Sequence, residues 1–166
     1  MQKASHFQAK QRNVVLFLTA VLIVAADQLT KIWIRSYPEE QNFFEIGFFR
    51  LTHVHNTGGV FGLFQGQSFA LTIVALVGIT IFLLYALFGY RRFPFLDNIL
   101  NRVALGLILG GTVGNLIDRL NPNLDGVTDF ISIGIWPVFN IADSAVTVGA
   151  ILFAYSLLRL VQAEKR

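Results

Sequence analysis

The sequence predicts an all-α membrane protein with a small β element: four transmembrane helices plus a small hairpin or sheet at the outer membrane surface, both termini cytoplasmic, in one domain. Three observations carry this: the apolar balance of the chain, four apolar runs of spanning length, and the sorting of basic residues between connections. Hydrophobic residues make up 54% of the 166 positions and charged residues only 14%, with a mean hydropathy of +0.60. A soluble domain of this size needs far less apolar material to fill its core.

The apolar runs cover about 14–34, 69–88, 100–117 and 138–160, each near the roughly 20 residues that cross a hydrocarbon layer as a helix. Lys3, Lys10 and Arg12 precede the first run, Arg91, Arg92 and Arg102 flank the second connection, and Arg159, Lys165 and Arg166 end the chain. Placing these segments in the cytoplasm satisfies the positive-inside rule and the alternation of four spans together. Segments 35–68 and 118–137 then lie outside. The net charge of +3 therefore reports membrane orientation and gives no reason to expect nucleic acid. "VAA" before Asp27 resembles a signal-peptide cleavage site, but apolar residues continue through Leu29, Ile32, Trp33 and Ile34, so the run reads as a span.

The first outer segment, "NFFEIGFFRLTHVHNTGGVFGLF", places Phe44, Ile46, Phe48, Arg50, Thr52 and Val54 on one face of an extended strand. "NTGG" breaks it, and "VFGLF" is expected to return as a second strand, forming a hairpin at the membrane surface. In the third run Gly106, Gly110 and Gly114 recur every fourth residue beside Gly111, a spacing that lets another helix approach closely. Trp33, Tyr37, Tyr90 and Trp136 fall near span ends, as interfacial aromatics do.

The chain has no cysteine, which excludes disulfides and thiol chemistry. His53 and His55 share a strand face, but no third ligand accompanies them in sequence, and they read as surface histidines rather than a metal site. Ser144 has no histidine nearby to activate it. Acidic residues are more informative, because an ionisable group at a membrane segment is costly unless paired or hydrated. Asp27 precedes Lys31 by four residues, an ion-pair spacing. Asp118 adjoins Arg119 and is expected to be held by that cation or another. Asp125 sits in the turn sequence "PNLDG".

Asp129 and Asp143 remain. Neither has a basic residue close in sequence, and a helix cap does not account for Asp143 if its helix starts several residues earlier. Both fall at one depth on one side of the membrane. Two carboxylates brought together and partly desolvated share a proton, so that the ionised member activates water while the protonated one polarises a carbonyl. Asn56, Asn115 and Asn140 supply amides able to bond an extended peptide or orient a carboxyl.

The blocks "DQLTK" (27–31), "NTGGVFG" (56–62), "GGTVGNLIDRL" (110–120), "VTDF" (127–130) and "FNIADS" (139–144) resemble the bacterial lipoprotein signal peptidases, or signal peptidase II. Gly59 and Val60 depart slightly from the usual pattern. The resemblance implies a membrane-embedded aspartic endopeptidase that cuts diacylglyceryl-modified prolipoproteins just before the lipidated cysteine, with Asp129 and Asp143 catalytic. It implies that Asn56, Gly58, Asn115, Arg119 and Asn140 line or support the substrate site, and that Asp27, Lys31 and Asp118 are structural. It also implies a periplasmic β-cradle and a multi-pass protein of the bacterial inner membrane, contacting lipids, with its site near the periplasmic or outer face and no metal or organic cofactor; a monomer is expected. The alternative reading is a proton-coupled membrane carrier using intramembrane aspartates, which would need acids deep in the bilayer rather than clustered near one surface.

Overall fold

In the computed structural model, residues 2–58, 68–88 and 98–164 are described. The elements are α1 (Gln2–Ile34), β1 (Asn42–Ile46), β2 (Phe49–Asn56), α2 (Ser68–Phe88), α3 (Ile99–Leu120), β3 (Val127–Ile133) and α4 (Ile141–Glu164). Among the described residues, three helical stretches are long and apolar enough to cross a membrane: Arg12–Ile34, Ile99–Leu120 and Ile141–Arg159. The apolar stretch of α2, Phe69–Leu84, is shorter.

The helix α3 is the central post. Asn98 caps it by accepting from the Asn101 N–H at 2.9 Å. It packs mainly on α1 and α4, with α2 on a further side. Its glycines set those distances. A Cβ on Gly106 would lie 2.6 Å from the Leu16 carbonyl and one on Gly110 2.7 Å from the Ala20 carbonyl, while Gly111 meets the carbonyl of Ala142. Gly149 of α4 returns the contact, 2.7 Å from the Ala104 carbonyl. Leu16, Ala20, Leu105 and Leu109 form the buried core between α1 and α3, closed by Ile79, Phe82 and Leu83 from α2. The outward faces of α1 and α4 present Leu18, Val21, Leu22, Ile151 and Leu158 as exposed apolar side chains, the surface lipid would cover.

Three antiparallel strands, in the order β1-β2-β3, form one sheet. The single strand expected over 43–54 is instead a hairpin, because Gly47 takes φ +60 and Ile46 pairs with Phe49 across a two-residue turn. Glycine in the first turn position suits a type II′ hairpin, whose twist matches the strands. The third strand comes from the second outer segment, with Val54 opposite Asp129 and His55 opposite Thr128. The strand expected from "VFGLF" lies outside the described residues. At the open end, Gly134 N–H donates to the Phe48 carbonyl at 2.8 Å, so Phe48, Ile46, Ile135 and Trp136 form an exposed apolar rim.

The fourth helix begins at Ile141, three residues later than the 138 expected. Phe139 is held extended by reciprocal backbone bonds with Ile131 at 2.8 and 3.0 Å, and the helix starts only after it.

Candidate active site

Because α4 starts at Ile141, Asp143 is its third residue and Asn140 its N-cap. Asn140 Oδ1 accepts from the Asp143 N–H at 2.9 Å, and Asp143 Oδ2 accepts from the Asn140 N–H at 3.2 Å. This is a reciprocal capping box, so the expectation that capping could not explain Asp143 was wrong: it does cap. Its other oxygen, Oδ1, accepts from Asn115 Nδ2 at 2.8 Å. The helix N-terminus further favours negative charge at that position.

The strand β3 carries Asp129 to the same place. Its Oδ1 accepts from Asn140 Nδ2 at 2.7 Å and its Oδ2 from Asn56 Nδ2 at 2.8 Å. Asn140 thus touches both carboxylates, and the structure brings Asp129 and Asp143 to one point from separate elements. Asp129 is only 2% exposed. Burial first, and then the charge of Asp143, push its carboxyl up to about 7.

Three amides hold this pair, and each is locked by a group that can only donate. Lys31 Nζ donates to Asn115 Oδ1 at 2.9 Å, so the Asn115 NH2 must face Asp143. The Asp143 N–H fixes Asn140 in the same way. Gly58 N–H donates to Asn56 Oδ1 at 2.9 Å, which turns the Asn56 NH2 to Asp129. Neither carboxylate needs to select its partner.

Behind the amides lies a buried ionic cluster. Lys31 Nζ is 2.8 Å from Asp27 Oδ2 and 3.3 Å from Asp118 Oδ2, and Arg35 is 2.8 Å from Asp118 Oδ1. Asp118 is therefore held by Lys31 and Arg35, while its sequence neighbour Arg119 faces the cavity. Gln28 Nε2 reaches both Asp27 and Asp118 at 3.2 Å. The cluster also pins the site's elements: Asp27 Oδ1 accepts from the Ala142 N–H at the start of α4, and Asp118 Oδ2 from the Thr128 N–H in β3, each at 3.0 Å. Two cations balance two anions, which offsets much of the desolvation such charges incur.

A cavity of about 810 Å³ opens beside the pair. Asn56, Gly58, Asn115, Arg119, Asp129 and Asp143 line one end, and Leu71, Thr112, Val146, Thr147 and Val148 continue it between α2, α3 and α4. Arg119 reaches the Gly58 carbonyl at 3.5 Å. Asn140 is fully buried and stands behind the carboxylates. Ser144 lines the cavity, but its hydroxyl donates to the Asn140 carbonyl at 3.0 Å. Asp125 remains an exposed turn residue.

Two features were not legible in the sequence. Arg35, one turn after Lys31, was not singled out, although it holds Asp118 and donates from Nε to Thr128 Oγ1 at 2.9 Å. His53 is buried, at 3% exposure, and not the surface residue expected; Glu39, distant in sequence, supplies the third group thought to be missing beside the histidines.

The architecture is that of a bacterial membrane enzyme. It is similar to two solved bacterial membrane enzyme structures, determined by the in meso method at 2.3 and 1.9 Å resolution: TM-scores are 0.77 and 0.73, each at 31% identity. The first match covers 87% of both chains, and the second 86% of this chain and 92% of the other. The family model described as Signal peptidase (SPase) II matches residues 19–159, and the chain belongs to that family. The chain is 45% identical over 141 residues to the lipoprotein signal peptidase of Dehalococcoides mccartyi strain BAV1, covering 84% of this chain and 86% of the relative. It is 42% identical over 144 residues to that of Moorella thermoacetica, covering 85% and 91%.

Proposed function

We propose that this chain removes signal peptides from diacylglyceryl-modified prolipoproteins by aspartic proteolysis, cutting before the lipidated cysteine, with Asp129 and Asp143 as the reacting pair. The observation that carries the reading is the double contact of Asn140, whose side chain bonds Asp129 and whose backbone bonds Asp143. In this reading α2 completes four spans, both termini are cytoplasmic, and the sheet lies at the periplasmic face of the inner membrane. The protein works as a monomer.

The cavity suits a substrate arriving sideways from lipid. Its polar end lies at the carboxylates and its apolar extension runs between α2, α3 and α4, where acyl chains can stay in a hydrocarbon environment. The scissile segment is extended there, since a carbonyl held in helical hydrogen bonds is closed to attack. Asn56, Gly58 and Arg119 at the polar end supply groups to hold its backbone.

The two carboxylates then divide the work. Asp143, at a helix N-terminus and accepting from a backbone N–H and from Asn115, is the ionised member and takes a proton from water. Asp129, whose carboxyl titrates near 7, is the protonated member and donates to the scissile carbonyl oxygen. Water oxygen bonds to the carbonyl carbon, giving a neutral tetrahedral diol. Its collapse breaks the C–N bond as Asp143 passes its proton to the leaving nitrogen and Asp129 recovers its own. No acyl-enzyme forms.

The test is cleavage of a diacylglyceryl-modified prolipoprotein by purified protein, read as a gel shift. Wild type cuts, and Asp129→Asn and Asp143→Asn both lose cleavage while remaining folded. Near-full cleavage by either variant rules out the assignment.

A further inference from the structure

Glu39, His53 and His55 lie outside the cavity and take no part in the chemistry above. Glu39 is in the connection from α1 to β1, and the histidines are alternate residues of β2. One ring nitrogen from each histidine and a Glu39 carboxylate oxygen lie within 4.8 Å of one another. The rings are 5.0 Å apart between centroids, and His55 Nε2 is 3.2 Å from Glu39 Oε1.

The protonation pattern gives this cluster a direction. His53 Nδ1 is 2.9 Å from the Tyr37 carbonyl, which can only accept, so Nδ1 carries the hydrogen. That leaves Nε2 to offer a lone pair. Nε2 is shut from solvent and has no hydrogen-bond partner among the described residues, in a residue only 3% exposed. An unsatisfied buried nitrogen is costly, and an imidazole whose Nδ1–H is fixed by a carbonyl while Nε2 stands free has the arrangement of a metal-bound histidine. His55 Nδ1 is likewise buried without a partner.

We propose that Glu39, His53 and His55 form a binding site for a divalent transition metal of the Zn²⁺ type. Two imidazoles and one carboxylate suit Zn²⁺ and exclude Mg²⁺ or Ca²⁺, which require oxygen ligands. Zinc holds nitrogen and oxygen at about 2.0–2.2 Å, placing tetrahedral ligands roughly 3.4 Å apart. The 4.8 Å limit of the cluster therefore requires a small contraction, which the Glu39 side chain, 63% exposed, provides by changing rotamer. Water completes the coordination.

The site is structural. Strand alternation turns His55 and its partner Thr128 to the sheet face opposite Asn56 and Asp129. A bound ion ties the α1–β1 connection to β2, reinforcing the Glu40 N–H bond to the His53 carbonyl at 2.8 Å. It thereby stiffens the strand that presents Asn56 to Asp129.

The experiment uses full-length, tag-free protein in detergent, titrated with Zn²⁺ against a chromophoric chelator, with Co²⁺ as a spectroscopic substitute. Wild type takes up one Zn²⁺ at micromolar free metal, gives tetrahedral Co²⁺ bands and melts higher with Zn²⁺. Glu39→Gln and His55→Ala, both at partly exposed positions, weaken binding about 100-fold or more, at or beyond the top of the range for losing a supporting residue. Both also lose the Zn²⁺-dependent rise in melting temperature. His6→Ala, which alters the third histidine of the chain, binds as wild type does. Wild-type protein that holds no Zn²⁺, variants that retain wild-type affinity, or binding that disappears in His6→Ala would each overturn the proposal.

Discussion

Replacing Asp129 with asparagine should change stability with opposite signs at pH 4 and pH 8. The wild-type carboxyl is pushed from 3.8 to about 7. When unfolded, the group loses its proton near 4, so between about 4 and 7 only the folded state holds it. Because the folded pKa is raised, wild-type stability falls as pH rises through that window and is level above it. At about 1.36 kcal/mol per tenfold change in proton affinity, the cost at pH 8 is about 4 kcal/mol. Asparagine carries no charge and escapes that cost. Its own NH2, however, must face one of two donors, Asn56 Nδ2 or Asn140 Nδ2, a mismatch of about 1–3 kcal/mol. The variant is therefore more stable than wild type at pH 8 by about 1–3 kcal/mol and, at pH 4 where little of the wild-type cost has developed, less stable by about 0.5–2.5 kcal/mol. Unfolding in detergent, followed by tryptophan fluorescence at both pH values, measures the difference. A stability difference that keeps one sign from pH 4 to pH 8 refutes the raised carboxyl and with it the acid role of Asp129.

Cleavage by wild type should decline as pH rises through about 7, where Asp129 gives up its proton, and the pH profile of kcat/KM tests this directly. Lys31→Met leaves Asp27 and Asp118 with reduced compensation and releases Asn115; a loss of about 3–5 kcal/mol and of most cleavage is expected from denaturation and gel-shift assays. In Gly114→Ala the new Cβ meets Asp27 Oδ2 at 2.6 Å, costing about 1–3 kcal/mol by overpacking. Gly78→Ala, with nothing within 4 Å, should be neutral or slightly stabilising by the same measurement. Ser144→Ala should keep cleavage within a few-fold of wild type, since its hydroxyl is engaged by the Asn140 carbonyl; loss of activity with the fold intact would reopen a serine mechanism.

The helices were legible because apolar run length and glycine spacing are local signals: Gly106, Gly110 and Gly114 sit against α1 as their period implies. The Asp27–Lys31 pair was legible for the same reason, being an i,i+4 contact. The sheet was not. Its central pairing joins Asn56 to Val127, and strand partners so far apart in sequence leave no periodic trace. The turn at Gly47 was hidden by phenylalanines on both sides, which extended the apparent strand. Asp143 was misjudged because "VFN" is apolar enough to pass for helix, whereas Phe139 is bonded to Ile131. Elimination isolated Asp129 and Asp143 without showing what holds them. That depends on Lys31, Gly58 and the start of α4 orienting three amides, contacts that exist only after folding.

Those amides bear on turnover. Each is oriented by a neighbour whose hydrogen is not exchanged in the proposed reaction: Lys31 Nζ, the Gly58 N–H and the Asp143 N–H. In the proposed mechanism, protons shuttle between the carboxylates, water and peptide while every supporting dipole keeps its heading. On that proposal the framework needs no resetting between one substrate and the next, which would leave the pace of the cycle to chemistry and to the movement of lipidated chains in and out.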